Sequence, residues 1–201
     1  MCVDDHRVML DGLALLIGRQ PDMEVVASAT NVPQAVAEHL RVSPDVTLMD
    51  LQLPEINGLE GIRRIRHAAP EARIVVLTMY QGDEDIHRAL EAGARGYLLK
   101  DTLPDDLIRV IREVHAGQRS IPPEIAAALE QRASQPVLTF RESQVLELLA
   151  TGKRNKEIAA SLGISGDTAS AHIKSIFVKF NVHDRTAALA EALGRGIIHI
   201  H

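Results

Sequence analysis

The chain is 201 residues long, with a formal charge of −5, an apolar content of 46% and aromatics at only 2%. That length allows one large domain or two small ones, with cores drawn mostly from Leu, Ile, Val and Ala. Its longest strongly apolar runs, such as Leu13 to Ile17, cannot span a bilayer. No basic-then-apolar leader opens it, and the single Cys2 can form no internal disulfide. No apolar membrane-spanning helix, no export and no internal disulfide are expected, and a reducing cytoplasm is the expected compartment.

Charge is unevenly divided. Over residues 1–117, Asp and Glu outnumber Lys and Arg 19 to 12, whereas over residues 138–201 Lys and Arg lead 8 to 6. An acidic part followed by a mildly basic one predicts two modules with different partners. The nine histidines are scattered, and His199 and His201 read as a solvated tail.

Met1-Cys2-Val3 is a very short apolar run ending in Asp4-Asp5. Leu10 to Arg19 reads as an amphipathic helix, Met23 to Ala29 as a strand and Val32 to Arg41 as a helix. Asp45 to Asp50 is a buried strand stopping on an acid. A turn carrying Pro54 and Gly58 follows, then a helix from Leu59 to His67. Arg73 to Thr78 is a strand, Glu84 to Ala92 a helix, Gly96 to Leu99 a short strand stopping at Lys100, and Leu103 to Ala116 a helix ending at Gly117. This five-fold βα alternation is the pattern of a doubly wound parallel sheet, and the first module spans residues 1–117.

The strand ends carry the chemistry. Asp4 and Asp5 follow the first strand, Asp50 the third, Thr78 the fourth and Lys100 the fifth. In strand order 2-1-3-4-5 the first and third strands are neighbours at the switch point, so these groups converge on one rim. An acid at a strand end is as often a local cap as a site; its company gives Asp50 weight. Three carboxylates together repel unless a cation joins them, and oxygen ligands on a half-hydrated site suit Mg2+. A divalent ion and a lysine neutralise a transferred phosphoryl group, with Asp50 as the nucleophile.

Residues 4–117 resemble the receiver domain of bacterial two-component response regulators. The resemblance rests on Asp4-Asp5-His6, Met49-Asp50-Leu51 with Pro54 and Gly58, Thr78, and Gly96-Tyr97-Leu98-Leu99-Lys100. It implies that Asp50 accepts phosphate from a sensor histidine kinase. It also implies Mg2+ held by Asp5, Asp50 and the backbone carbonyl of Gln52, with Asp4 assisting through water. Lys100 would pair with the phosphoryl group, Thr78 would swing toward it, and Tyr97 would turn inward as the readout. Receivers normally carry a longer first strand, so this one implies either a start further upstream or a weakened receiver and metal site.

Residues 118–136 read as a linker with a short helix, Glu124 to Ala133, started by Pro122-Pro123 and ending at Ser134-Gln135-Pro136. Residues 137–201 carry no strand signal. Thr139 and Glu142 form a capping box for a helix reaching Ala150. Asn155 caps a second helix, Lys156 to Leu162. Ser165 starts a third, reaching Phe180, and a fourth runs from Asp184 or Arg185 to about Ile198. The second and third flank the tight turn Gly163-Ile164-Ser165, a helix-turn-helix. Ala169, Ile173 and Ile176 should pack inward.

This module resembles the LuxR-type helix-turn-helix of NarL/FixJ response regulators. Leu138-Thr139, Arg141-Glu142, Asn155-Lys156-Glu157-Ile158-Ala159, Ile164-Ser165, Thr168, His172, Ile176, Lys179, Val182 and Arg185 are among the residues that carry the resemblance. It implies double-stranded DNA as a partner, phosphate contacts from Thr168, Lys179 and Arg185, and base-edge contacts near Ser170, Ala171 and Lys174, with His172 on the same face. Lys153 and Lys156 read as a solvated face.

The expected function is a DNA-binding transcriptional regulator switched by phosphorylation of Asp50, homodimeric when phosphorylated, with no substrate turnover and no membrane partner. Two other readings compete. The receiver could be a silent dimerisation or docking domain. The chain could also be an aspartyl phosphatase, but such enzymes want a second acid two residues after the nucleophile, where Gln52 stands.

Overall fold

A computed structural model describes residues 1–79, 82–121, 123–133 and 136–198. The expectations for Pro122, Ser134, Gln135, His199 and His201 fall outside that set. The chain forms two compact units, one of residues 1–79 and 86–127 and the other of residues 128–198 together with 82–85, which include the first residues of the helix Asp83–Glu91.

In the first unit the strands are β1 (Cys2–Val3), β2 (Ser28–Ala29), β3 (Thr47–Met49), β4 (Ile74–Thr78) and β5 (Gly96–Leu99). They form one parallel sheet in the order β2-β1-β3-β4-β5. The helices are α1 (Arg7–Gly18), α2 (Val32–Val42), α3 (Gly58–Ala68), α4 (Asp83–Glu91) and α5 (Pro104–His115). Alternate strand residues serve opposite faces. Leu48, Val75, Leu77 and Leu98 pack with Leu10, Leu13 and Ile17 of α1 and Leu107, Val110 and Val114 of α5. On the other face, a side chain at Gly61 of α3 would meet Val32 of α2 and Met49 of β3. Both faces are therefore covered, which is why these strands read as continuous apolar runs.

In this unit two boundaries differ from the sequence expectation by more than a residue or two. α1 begins at Arg7 rather than Leu10, because the His6 carbonyl accepts from the amides of Met9 and Leu10. The strand expected over Met23–Ala29 is regular only at Ser28–Ala29. β1 offers it two paired residues, and the Cys2 amide bonding to the Ala27 carbonyl at 3.1 Å ends the ladder. A strand needs a partner as well as a propensity.

Part of the stretch read as linker belongs to the sheet. Ser120 bridges Gly96 in parallel, its amide bonding to the Arg95 carbonyl at 2.9 Å, and its hydroxyl donates to Glu113. This covers backbone groups on the free edge of β5. Helix α6 follows over Pro123–Ala133.

The second unit contains α7 (Phe140–Ala150), α8 (Asn155–Leu162), α9 (Gly166–Phe180) and α10 (Arg185–Gly194). Thr139 and Glu142 form the capping box of α7. Asn155 is the first residue of α8 rather than its cap, which is Arg154. Gly163, at φ +64°, lets the chain turn out of α8, and Ser165 caps α9. α10 stops at Gly194, short of the expected Ile198. There Gly196 takes φ +68° and the Ile197 amide folds back to the Ala192 carbonyl, which brings Ile198 into the core. Ala169, Ile173, Ile176 and Phe180 line the buried face of α9, against Val145, Leu146 and Leu149 of α7 and Ile158 of α8. Their spacing returns them to one side of a helix.

Candidate functional site

The carboxyl ends of the strands hold the first cluster. Backbone ladders fix its acids: the Asp4 amide bonds to the Ala29 carbonyl at 3.1 Å, and the Asp50 amide to the Val3 carbonyl at 3.0 Å. The Lys100 amide bonds to the Thr78 carbonyl at 2.9 Å, so these two residues sit side by side at the tips of β4 and β5. The start of α3 presses against the same place. A Cβ at Gly58 would lie 1.9 Å from the Asp50 carbonyl oxygen, so only glycine permits that approach.

Asp4 and Asp50 are almost fully buried, at 2% and 1% exposure. Lys100 Nζ lies 2.7 Å from Asp4 Oδ2 and 2.7 Å from Asp50 Oδ2. The Gln52 amide donates to Asp50 Oδ1 at 3.2 Å, and the His6 amide to Asp4 Oδ1 at 2.9 Å. Burial raises the pKa of Asp50, and the hydrogen bond and charge of Lys100 offset that only in part. For Lys100, burial works against the ammonium, but its hydrogen bonds to Asp4 and Asp50 prevail and its pKa is raised.

Asp5 stands apart from that grip. Its Oδ1 is 2.8 Å from His6 Nδ1, which is itself 3.3 Å from Asp4 Oδ1. Asp4, Asp5 and His6 can each offer a ligand atom within 4.8 Å of the others. Two buried carboxylates share one ammonium and a third carboxylate lies beside them, so the rim carries surplus negative charge. Carboxylate oxygens are the donor set that a hard divalent cation prefers, so the residues fit one. Thr78 and Tyr97 are fully buried, the latter with its ring already inward. The contacts of His6, and the choice of Asp4 as the second partner of Lys100, were not anticipated. The only sequence signal was the contiguity of Asp4, Asp5 and His6.

The second cluster is the outward side of the helix-turn-helix. Thr168 and Ala171 are exposed, and Ser170 and His172 are half-buried. Lys174 is exposed one turn beyond Ser170. The Thr168 hydroxyl is 2.8 Å from that of Ser165, and Asn155 Nδ2 donates to Ser170 Oγ at 3.0 Å, tying α8 to α9. Lys179 and Arg185 are engaged within the module. Lys179 Nζ is 2.6 Å from Glu142 Oε2 and 2.9 Å from the Val137 carbonyl. The Arg185 guanidinium donates to the carbonyls of Lys153 at 2.9 Å and Leu149 at 2.7 Å. Glu142 also accepts from Ser175 Oγ and from the Thr139 amide, each at 2.7 Å. Burial pushes its pKa up, but the hydrogen bonds from Lys179, Thr139 and Ser175 outweigh that and hold it down at about 2.

Among the described residues, no helix is long and apolar enough to cross a membrane. Residues 1–112 match the response regulator receiver domain family, and residues 136–192 match the bacterial regulatory proteins of the luxR family. The chain is 38% identical to a nitrate/nitrite response regulator protein homolog of Haemophilus influenzae over 192 residues, covering 94% of this chain and 92% of that one. It is 32% identical to the response regulator protein VraR of Staphylococcus aureus over 201 residues, covering 98% and 96%. Among solved structures it is similar to RcsB of Salmonella enterica serovar Typhimurium bound to promoter rprA, with TM-score 0.69, 26% identity and 96% of each chain covered. The parallel sheet with its acidic rim, the helix-turn-helix that follows and these likenesses together show that the chain belongs to the NarL-type two-component response regulators, transcription regulators built from a phosphorylation-dependent receiver and a LuxR-type DNA-binding domain.

Proposed function

We propose that Asp50 is the phosphoacceptor of this regulator and that a sensor histidine kinase is the donor. The observation that carries this is Lys100 Nζ at 2.7 Å from both Asp50 and Asp4. A buried nucleophile is held beside a cation that can follow the incoming charge. Asp50 Oδ attacks the phosphorus of the kinase phosphohistidine. The new O–P bond forms as the N–P bond breaks, and the histidine leaves. Asp5, Asp50 and the Gln52 carbonyl would hold Mg2+, with Asp4 assisting through water, and the ion would supply neutralising charge at this rim. Lys100 exchanges its carboxylate partners for the phosphoryl oxygens, and the Thr78 hydroxyl donates to one of them. The motion of Thr78 is read by Tyr97 on the neighbouring strand and carried by α4, pairs two copies into a homodimer, and raises affinity for double-stranded DNA. Thr168, Ser170, Ala171, His172 and Lys174 form the DNA face, with the early residues of α9 at base edges. The protein works in the cytoplasm.

The test is labelling by a small phosphodonor such as acetyl phosphate. The wild type is expected to label in the presence of Mg2+ and the Asp50→Asn variant to remain unlabelled; retained labelling in that variant would refute the assignment.

A further inference from the structure

DNA phosphates are ordinarily met by lysines and arginines whose charge faces outward. Two of the cations expected in that role here, Lys179 and Arg185, already have other partners. Lys179 is bound to Glu142, whose side chain is only 5% exposed, and to the Val137 carbonyl. A phosphate drawn toward Lys179 would also approach the Glu142 carboxylate, a charge of the same sign. Pulling the ammonium outward would leave that carboxylate buried without its cation. Arg185 has both terminal nitrogens on carbonyls, one of them Leu149 in the last turn of α7. Helix ends leave such carbonyls without partners, and a guanidinium suits both their hydrogen-bonding need and the helix dipole.

The other two lysines on α8 and α9 differ. Lys156 and Lys174 are exposed. Lys156 follows Asn155, whose amide is bonded to Ser170, and Lys174 stands four residues beyond Ser170 on α9. Both lysines are thus exposed and lie within about a turn of the Asn155–Ser170 hydrogen bond that ties α8 to α9.

We propose that Lys156 is a phosphate-contacting residue of the DNA interface, alongside Lys174, and that Lys179 and Arg185 are positioning residues holding α9 and α10 against α7. This rests on the DNA-binding reading and refines which cations serve it. Each neutralised phosphate adds about 0.9 to the slope of log affinity against log salt, whereas a positioning residue changes affinity without changing that slope.

The experiment measures binding of the full chain to a random-sequence duplex across a salt series, with beryllofluoride and Mg2+ throughout. Lys156→Ala and Lys174→Ala should each lower the steepness of the slope by about 0.9. Lys179→Met should weaken binding at every salt concentration with the slope unchanged, and Lys179→Arg should restore it. The double variant E142Q/K179M, which removes both charges, covers the case in which Lys179→Met does not fold, and it too should keep the wild-type slope. A slope lowered by Lys179→Met or by the double variant, or one unchanged by Lys156→Ala, would overturn the proposal. A wild type with no salt-dependent binding would overturn the DNA-binding reading as well.

Discussion

The two units each pair a lysine with buried carboxylate, and the difference between these clusters separates a site from a brace. At the receiver rim, Lys100 serves two buried carboxylates at 2.7 Å each, with Asp5 beside them. Negative charge is in excess, and burial raises the pKa of Asp50. In the helix-turn-helix, Lys179 meets one carboxylate, and Glu142 gathers further hydrogen bonds from Ser175 and Thr139. Its pKa is held down at about 2. The first cluster is short of positive charge, and on the proposed reading it takes up a cation and a phosphoryl group. The second is balanced, and its chemistry is spent on rigidity.

Single substitutions can break this contrast. Lys100→Met should have the largest effect, because it strands two buried carboxylates; losing one partner of a buried pair costs about 3–5 kcal/mol. Millimolar Mg2+ should recover much of that loss, measured as the thermal midpoint with and without the ion. Acidification should act on the other cluster. Glu142 has a folded pKa of about 2 against an ordinary 4.5. Its stabilising contribution is therefore complete above pH 4.5 and disappears as pH falls through about 2. That window represents about 3 kcal/mol, and the Glu142→Gln variant should lack this part of the acid-induced loss.

Lys179→Met should cost roughly 2 kcal/mol, less than the Lys100 change because Lys179 is 24% exposed and partly screened. Added Mg2+ should give no recovery, since the remaining carboxylate stands alone. The smallest effect belongs to Thr139→Ala, at about 1 kcal/mol for loss of the α7 cap, read by chemical denaturation. Recovery by Mg2+ in the Lys179 variant but not in the Lys100 variant would reverse the assignment of site and brace.

Much of the fold could be read from residues alone. Alternation of apolar strands and amphipathic helices predicts the sheet, and the strand ends predict that Asp4, Asp5, Asp50, Thr78 and Lys100 converge on one rim, though not which acids Lys100 takes. Capping chemistry located Thr139 and Ser165 at their helix starts. What escaped depended on partners distant in sequence. Met23–Ala27 has strand-like composition, but a ladder also needs an opposite strand, and β1 supplies two residues. Lys179 and Arg185 show their charge in the sequence, but their carboxylate and carbonyl partners are brought to them only by the packing of α7, α9 and α10. Of the adjacent acids, Asp4 takes the distant Lys100, whereas Asp5 pairs with its neighbour His6. Asn155 has the right chemistry for a cap and lies one residue too late, which frees its side chain to reach Ser170.

The central claim is that charge added at Asp50 changes how the second unit binds DNA. It is tested most directly by the DNA affinity of the wild type and the Asp50→Asn variant, each with and without beryllofluoride and Mg2+. The expected result is a gain for the wild type alone, accompanied by a shift to dimer on sizing. Equal affinity in all four conditions, or the same gain in the variant, would contradict it.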